Sequence, residues 1–563
     1  MQHADAPIQP PLVELPIKTA KSGFYQGFST IVAVPSKVIV ALLILWAIVF
    51  PVQANETLAA ANANIIREFA GWYVYLVAFL MLIAFVLAII PQTGTLRIGQ
   101  PDEKPEFSRF SWFAMLFGAG IGIGMLTYST GEPLAHFQNN PDIIRGLIDP
   151  VSQEAIRPAY VYTLLHWGFA AWATYALVGL AVGYVAYRRN LPLTIRSALA
   201  PLFGKALSGP VGHIIDIVAV VATVLGVAVT MGFGVEQFVA GLERLNLGGW
   251  GLDGWLLNDK GTASAPAIII ALILLVGAST LSALSGVGRG IKWLSNLNMV
   301  LSFVLLAVFL VLGSGMLGLE ILFTAIYDYI VTLPGLAVTL WSADGTTTGD
   351  ALAQWQLDWS VFYWAWWIAF APFVGMFVAR VSRGRTVREY VLGVVLVPSL
   401  MCFIWMAIVG GTAIDLELSG AAGGKILEAG ISDQLYATLS VMFDPGIAML
   451  LSGLVVVLLM TYLITSADSA ILIVNMINGA GEDEDAADRK HHILFWGAAL
   501  ALVVGSMLIL GGIDAIRITM IIGALPFSLV VGLMAISISK AIIYDLIRKK
   551  HGVATHAEND LEA

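Results

Sequence analysis

Three aromatic residues in one apolar stretch have the spacing needed to form a single surface. Trp167, Trp172 and Tyr175 project at about 0°, 140° and 80° around a helix and therefore share one face. Packing is the ordinary role of such rings. A second stretch supplies more tryptophan at a similar depth, however, and two opposed aromatic faces form a cage. Such a cage binds a quaternary ammonium, which offers no hydrogen bonds, by cation–π attraction of roughly 0.5–2 kcal/mol per ring.

The second aromatic stretch runs from Trp359 to Arg385. Its residues Trp364, Trp366 and Trp367 lie at about 100° per residue and point around most of a helix. We therefore expect protein to surround this helix on all sides. Its end is basic, and basic side chains mark the cytoplasmic end of a membrane span because they enter hydrocarbon at a high cost. The basic residues are Arg380, Arg383, Arg385 and Arg388.

A patch of hydroxyl groups interrupts another apolar stretch. Thr465, Ser466 and Ser469 fall within about 100° of one another on a helix. Hydroxyls in membrane helices commonly bond to their own backbone, which is the structural interpretation. The functional one is that Thr465 and Ser466 offer hard oxygen ligands to Na⁺. Asp468 lies beside them, and an acid inside a membrane is either functional or the buried partner of an arginine.

Glycines recur at every second position from Gly118 to Gly124. Each costs a helix about 1 kcal/mol relative to alanine, so the run predicts an unwound segment whose carbonyls and amides face a ligand or ion. Gly122 and Gly124 are thus expected at a substrate. Close packing of helices through small residues is the alternative. Glu132 follows and is interpreted as a structural acid near the outer end of the span.

The composition restricts the class of protein. Of 563 residues, 58% are hydrophobic and 12% charged, and the mean hydropathy is +0.85, so a soluble fold could not cover itself with polar surface. The chain is predicted to be an all-α integral membrane protein. A net charge of −9 argues against nucleic acid as a partner. The single cysteine, Cys402, excludes an internal disulfide, and about 35 polar residues before the first apolar stretch argue against a cleaved signal peptide.

Twelve apolar segments are long enough to cross about 30 Å of hydrocarbon. They lie near 37–54, 72–91, 111–130, 159–187, 214–240, 266–286, 294–315, 359–382, 389–411, 447–478, 491–511 and 517–545. Basic residues cluster in alternate loops and in both tails, which places both termini in the cytoplasm. The organisation expected is an N-terminal tail (1–35), a transmembrane domain (36–545) and a C-terminal tail (546–563).

The spans fall into two blocks of five, helices 3–7 and 8–12. Because five is odd, two consecutive blocks of similar fold insert with opposite orientation, which predicts inverted repeats and alternating access. Residues 318–333, between the blocks, are predicted to form an amphipathic helix in the membrane interface.

Four motifs together resemble the betaine/carnitine/choline transporter family over about residues 30 to 545. They are GAGIGIGML (118–126), HWGFAAWATY (166–175), FYWAWWIAFAPFVGMFVARVSRGRTVREY (362–390) and TSADS (465–469). The resemblance implies twelve helices with two inverted repeats, commonly assembled as a homotrimer in a bacterial inner membrane. It places the substrate cage on Trp167, Trp172, Tyr175 and Trp367, with Trp366 and Trp364 as neighbouring aromatics of the pathway.

The resemblance also implies ion sites. One Na⁺ would bind the hydroxyls of Thr465 and Ser466 and the carbonyls of Gly118, Ile121 and Tyr462. A second family site uses two threonines and a phenylalanine. Thr223 and Phe373 match two of these, but Val227 stands where the second threonine is expected, which puts a second Na⁺ in question. Phe370 also departs from the family pattern, since related betaine carriers have a further tryptophan there.

The expected function is Na⁺ symport of a zwitterionic osmolyte such as glycine betaine or dimethylsulfoniopropionate. Choline uptake and sodium-independent exchange of carnitine or betaine are the alternatives within the family. An ion channel would need a symmetric pore ring and an enzyme a catalytic constellation of His, Cys or acidic residues, and the sequence offers neither pattern. An aromatic cage receives ammonium and sulfonium cations alike, so the sequence leaves that choice open.

Overall fold

The computed structural model describes residues 8–118, 122–245, 255–285, 290–481 and 490–557. Their regular structure is helical and mostly α-helical, with short 3₁₀ and π segments and with isolated β-bridges. The helices of the first part are α1 (Thr30–Val49), α2 (Pro51–Ile89), α3 (Pro91–Gly94), α4 (Arg109–Gly118), α5 (Gly122–Gln138), α6 (Pro141–Ile144), α7 (Ile156–Trp167), α8 (Phe169–Arg189), α9 (Ala200–Phe203), α10 (Pro210–Arg244), α11 (Ala265–Ser285) and α12 (Gly290–Leu312).

The second part begins with a helix between the two predicted blocks and ends with a 61-residue helix. Its helices are α13 (Gly315–Leu336), α14 (Thr347–Gln356), α15 (Phe362–Val381), α16 (Val387–Trp405), α17 (Gly411–Leu418), α18 (Gln434–Met442), α19 (Pro445–Asn478) and α20 (Lys490–Lys550). Single π-helical turns, Leu357–Val361 and Met406–Gly410, join α14 to α15 and α16 to α17.

Eleven helices in the described part of the chain are long and apolar enough to cross a membrane. The chain is therefore an all-α integral membrane protein, as its composition predicts. The predicted third span is covered by α4 and α5, which lie on either side of residues 119–121. The last two predicted spans are joined in α20, which is interrupted at Gly511 and Gly512. Gly512 has a φ of 67°, which glycine adopts without the penalty of a side chain.

The predicted boundary between the first two spans is wrong, because α1 ends at Val49 rather than at 54. Helix α2 starts at Pro51, well before the second apolar segment, because proline suits the first turn of a helix and the following 51–70 stretch is rich in alanine. Residues 318–333 are helical within α13, which packs against α7 and is also one of the eleven long apolar helices. Its location in the membrane interface stays a prediction.

Helix α15 lies at the centre of the fold, surrounded by α8, α10 and α20. Its three tryptophans are all buried, as their angular spread predicts. Glycines allow the backbones to touch: a Cβ at Gly375 would lie 2.5 Å from a side-chain carbon of Val178, and one at Gly226 would lie 2.9 Å from the carbonyl carbon of Ala369. The walls around α15 are thus fixed by backbone contact, which suits a precisely shaped site.

Candidate functional site

A cavity between α5, α8, α10 and α15 contains most of the predicted substrate residues. Its lining is aromatic and apolar apart from the hydroxyls of Thr230 and Tyr175 and the indole N–H groups. The residues that line it are Gly124, Trp167, Ala171, Trp172, Tyr175, Thr230, Trp366, Trp367, Phe370 and Val374. Two elements distant in sequence, residues 167–175 and α15, therefore meet at one place.

The rings of the cavity present faces in several directions. Trp366 and Trp367 are stacked, with centroids 4.9 Å apart and planes 14° apart. Trp167 meets Trp367 edge to face at 5.3 Å, and Tyr175 does so at 6.2 Å. Trp172 lies edge to face with Tyr175 at 5.5 Å. This arrangement offers negative ring faces to a cation that enters the cavity.

Two of the indoles are held by hydrogen bonds outside the cavity. Trp367 Nε1 donates to the carbonyl oxygen of His166 at 3.0 Å, and Trp167 Nε1 donates to Glu132 Oε2 at 2.6 Å. Trp366 Nε1 and Thr230 Oγ1 are buried and have no partner among the described residues. The cavity therefore combines fixed rings with two polar groups that are free to bind a ligand.

A break in the helix positions Trp167. Helix α7 ends at Trp167 and α8 begins at Phe169, while Gly168 has a ψ of −141°. A Cβ at Gly168 would lie 2.5 Å from the carbonyl oxygen of Leu164, so only glycine fits. The Phe169 N–H, freed by the break, donates to Tyr329 Oη at 2.9 Å. A continuous helical wheel over 167–175 is therefore wrong, although its three aromatic residues do line one cavity.

The structure does not bring every predicted substrate residue to the cavity. Trp364 is buried on another side of α15, where its ring meets that of His166 at 5.8 Å. Gly122 instead packs against Tyr462. Sequence reasoning missed Thr230 as a lining residue, although α10 is apolar and Thr223 and Thr230 are its two threonines, a signal that could have found it. Ala171 and Val374 carried no such signal.

The predicted unwinding is wrong at Gly122 and Gly124. Gly122 and Gly124 lie in the helix α5, and Gly118 lies at the end of α4, while Gly120 is outside the described residues. Close approach explains the glycines instead. A Cβ at Gly122 would lie 2.1 Å from the Tyr462 ring, and one at Gly124 would lie 2.9 Å from the Trp167 indole. The packing interpretation thus holds at these two positions.

Gly122→Ala is expected to destabilise the protein. The added methyl group would overlap the Tyr462 ring and force α5 away from α19, which costs roughly 1–3 kcal/mol. Thermal unfolding of the purified protein in detergent would measure the loss. The control is Gly277→Ala in α11, since a Cβ there meets nothing within 4 Å. Equal melting temperatures for the two variants would contradict the packing explanation.

Three of the predicted sodium ligands lie close together in α19. Thr465 and Ser466 are buried side by side in α19, and Thr465 Oγ1 donates to the carbonyl oxygen of Tyr462 at 3.2 Å. Ile121 lies outside the described residues. Asn298 adds a residue that the sequence analysis missed: its Nδ2 donates to Thr465 Oγ1 at 3.4 Å. Asn298 Oδ1 is buried without a partner among the described residues, so this set of hard oxygen donors fits Na⁺.

The second predicted ion position offers few oxygen ligands among the described residues. Thr223 Oγ1 donates to the carbonyl oxygen of Ala219 at 2.8 Å. The Thr223 side chain faces a small cavity that Val227 and other apolar residues of α10, α19 and α20 line. Phe373 is buried against Phe370 at 5.1 Å. With valine in place of a second hydroxyl, the described residues there lack the oxygen ligands that Na⁺ needs.

A fold of many membrane helices around an aromatic-lined cavity is typical of a membrane transporter. Comparison with known proteins gives the particular family. Residues 31–546 match the family model for BCCT, the betaine/carnitine/choline family transporters. The chain belongs to the BCCT family.

Curated relatives cover most of the chain. It is 37% identical over 507 residues to the glycine betaine transporter OpuD of Bacillus subtilis, covering 90% of this chain and 92% of that one. It is 36% identical over 486 residues to the high-affinity choline transport protein of Escherichia coli, covering 85% and 67%. It is 34% identical over 508 residues to the osmo-dependent choline transporter BetT2 of Acinetobacter baylyi, covering 90% and 70%.

Proposed function

We propose that this protein is a Na⁺-coupled symporter that imports a zwitterionic quaternary ammonium or sulfonium osmolyte, such as glycine betaine or dimethylsulfoniopropionate. The single observation that carries the proposal is the enclosed cavity between Trp167, Trp172, Tyr175 and Trp367. The methyl groups of such a cation have no hydrogen bonds to satisfy. Aromatic ring faces attract the positive charge and exclude water, and they need no hydrogen bonds from the ligand. The aromatic lining of the cavity is therefore suited to such a cation.

Two groups in the same cavity suit the carboxylate of a zwitterion. Thr230 Oγ1 and Trp366 Nε1 are buried donors without partners among the described residues, and both residues line the cavity. A carboxylate accepts hydrogen bonds only, so it would satisfy both donors. Leaving them unpaired costs about 1–3 kcal/mol each. A ligand without a carboxylate would make weaker use of them, which favours the zwitterion over choline.

Coupling to one Na⁺ supplies the driving force. We assign this ion to Thr465, Ser466 and the Tyr462 carbonyl, with Asn298 beside them. A neutral substrate that moves with one Na⁺ carries one charge, and a potential of 100 mV then contributes about 2.3 kcal/mol. That energy corresponds to roughly 50-fold accumulation before the Na⁺ gradient is counted. The apolar surroundings of Thr223 and Val227 argue against a second ion at that position.

Choline uptake is the second candidate function. Two of the relatives above are named as choline transporters, and the Glu132 carboxylate behind Trp167 provides the kind of fixed negative charge that favours a net cation. Sodium-independent exchange is the third, which the adjacent hydroxyls of Thr465 and Ser466 argue against. Competition of unlabelled choline against labelled glycine betaine separates the first two. Equal potency in the native protein would contradict selectivity for the zwitterion.

Gly124→Asp is expected to shift the substrate preference toward choline. Gly124 lies on the cavity wall, so an aspartate there attracts the ammonium and repels the carboxylate of a zwitterion. The ratio of choline to betaine affinity should rise at least about tenfold, measured by competition binding. Gly124→Ala is the control, because its methyl group crowds Trp167 without adding charge. A similar ratio in both variants would contradict the electrostatic explanation.

The assembly and orientation are also proposals. We place both termini in the cytoplasm of a bacterial cell, because basic residues concentrate in the tails and in alternate loops. We further propose a homotrimer, on the family resemblance alone. Cysteine labelling at the two ends of the chain and light scattering of the detergent-solubilised protein would test these two statements separately.

A further inference from the structure

A fully buried polar cluster lies directly behind the substrate cavity. At its centre is Glu132, whose carboxylate contacts His166 Nδ1 at 2.6 Å and His136 Nε2 at 3.2 Å. Trp167 Nε1 donates to it at 2.6 Å, and the Tyr363 hydroxyl donates to it as well. All five side chains are buried. Four donors therefore converge on one carboxylate in the membrane-spanning core.

The hydrogen-bond pattern indicates that Glu132 is the charged group of this cluster. An ionised carboxylate accepts bonds at both oxygens and can accept from all four groups, whereas a protonated one could not accept from all four as readily. His136 Nδ1 is buried without a partner among the described residues, and a proton there would be unpaired in the core, which favours a neutral ring. His166 Nε2 lies 2.9 Å from Ser360 Oγ, which can donate to it. Apart from His136 Nδ1, every polar atom of the cluster is paired when Glu132 is an anion and both histidines are neutral.

The cluster holds the walls of the cavity in place. Glu132 fixes the Trp167 indole directly. It also fixes Tyr363, whose ring lies 5.4 Å from Trp367 at an angle of 30°. The backbone carbonyl of His166 accepts the N–H of Trp367. Two of the cavity's tryptophans are thus tied to this one anion and its histidine partner.

We propose that Glu132 is a positioning residue of the cage and its fixed counter-charge: it orients Trp167 and favours ligands that carry a permanent positive charge. Its negative charge lies behind the indole, and a hydrogen bond to an anion enriches the ring face in electron density. Both effects strengthen attraction for a cation and leave a neutral ligand of the same shape unaffected. The inference rests on the proposed function only in that the cavity must bind an onium group.

Other charged groups near the cluster do not cancel this effect. One cation packs near the cavity rings: the Arg517 guanidinium lies 4.0 Å from the centroid of the Phe362 ring, which stacks on Trp366. It is 28% exposed, donates to the carbonyl oxygen of Asp358 and lies 3.8 Å from Asp514. Solvent and Asp514 therefore screen Arg517, whereas Glu132 is enclosed.

The test compares two ligands of one shape. Choline and its uncharged carbon analogue 3,3-dimethylbutan-1-ol differ only in the charge of the central atom. Their binding to the purified full-length protein is measured by competition against labelled glycine betaine. Glu132→Gln is expected to lower the affinities for choline and betaine by at least about fivefold. The affinity for the carbon analogue should change by less than about twofold. An equal loss for all three ligands would reduce Glu132 to a structural residue and overturn the proposal.

Two further variants keep the test decisive. Glu132→Asp keeps the charge while disturbing the hydrogen bonds, so the ratio of choline to carbon-analogue affinity should stay within about twofold of the native ratio. Tyr363→Phe removes one donor without removing the charge and should also preserve that ratio. A ratio that collapses in Glu132→Asp would contradict the counter-charge even if Glu132→Gln did not fold. If the native protein binds neither choline nor betaine, the proposed function fails instead.

Discussion

Replacement of both Thr465 and Ser466 by alanine is expected to abolish the sodium dependence of uptake. The two hydroxyls lie side by side in α19 and are the only side-chain oxygens among the proposed ligands apart from Asn298. Their removal leaves only backbone carbonyl oxygens and the Asn298 amide, too few to replace the hydration shell of Na⁺. Uptake measured against external Na⁺ should either lose its saturable dependence or fall to background. The apolar packing of α19 changes little, because neither substitution removes more than a few atoms.

The control for this prediction is Thr461→Ala. Thr461 is also buried in α19, one helical turn earlier, and its hydroxyl donates to the carbonyl oxygens of Val457 and Leu458. It should keep a native apparent affinity for Na⁺. A double variant at Thr465 and Ser466 that also keeps the native affinity would show that the ion binds elsewhere.

Trp367→Leu is expected to weaken substrate binding by about 5- to 30-fold. Leucine preserves an apolar side chain but removes the ring quadrupole, which is worth roughly 1–2 kcal/mol for an enclosed cation. The stacked Trp366 would also lose its partner at 4.9 Å. Quenching of the remaining tryptophan fluorescence, or binding of labelled glycine betaine, would measure the change.

Trp364→Leu provides a matched comparison. Trp364 is a similarly buried indole in the same helix, but it does not line the cavity. Its loss should reduce stability and leave the substrate affinity within about twofold, since any direct cation–π contact is absent there. Equal effects of the two substitutions on affinity would mean that α15 contributes packing only.

The sequence predicted the parts of this fold that depend on periodicity and composition. The angular spread of Trp364, Trp366 and Trp367 indicates a helix enclosed on all sides, and α15 is so enclosed. The apolar segments locate the membrane helices to within a few residues at most ends, because hydrocarbon demands a minimum length of apolar chain. The aromatic residues of 167–175 and of α15 do meet, as the resemblance implied.

Features that depend on contacts between distant residues were not predictable in the same way. The sequence predicted an unwound segment at Gly122 and Gly124. It cannot show that the rings of Tyr462 and Trp167 pack against these two glycines. The break at Gly168 frees the N–H of Phe169, which donates to the hydroxyl of Tyr329, a residue 160 positions further along the chain. The sequence analysis interpreted Glu132 as a structural acid, since its donors from α7 and α15 are distant from it in sequence.

Uptake of labelled glycine betaine into proteoliposomes, with and without an inward Na⁺ gradient, is the direct test of sodium-coupled symport. We expect accumulation above the equilibrium level only when Na⁺ is outside. We also expect stimulation by a negative internal potential, because one net charge moves with each substrate. Uptake that is equally fast and equally high when K⁺ replaces Na⁺ on both sides would contradict sodium-coupled symport.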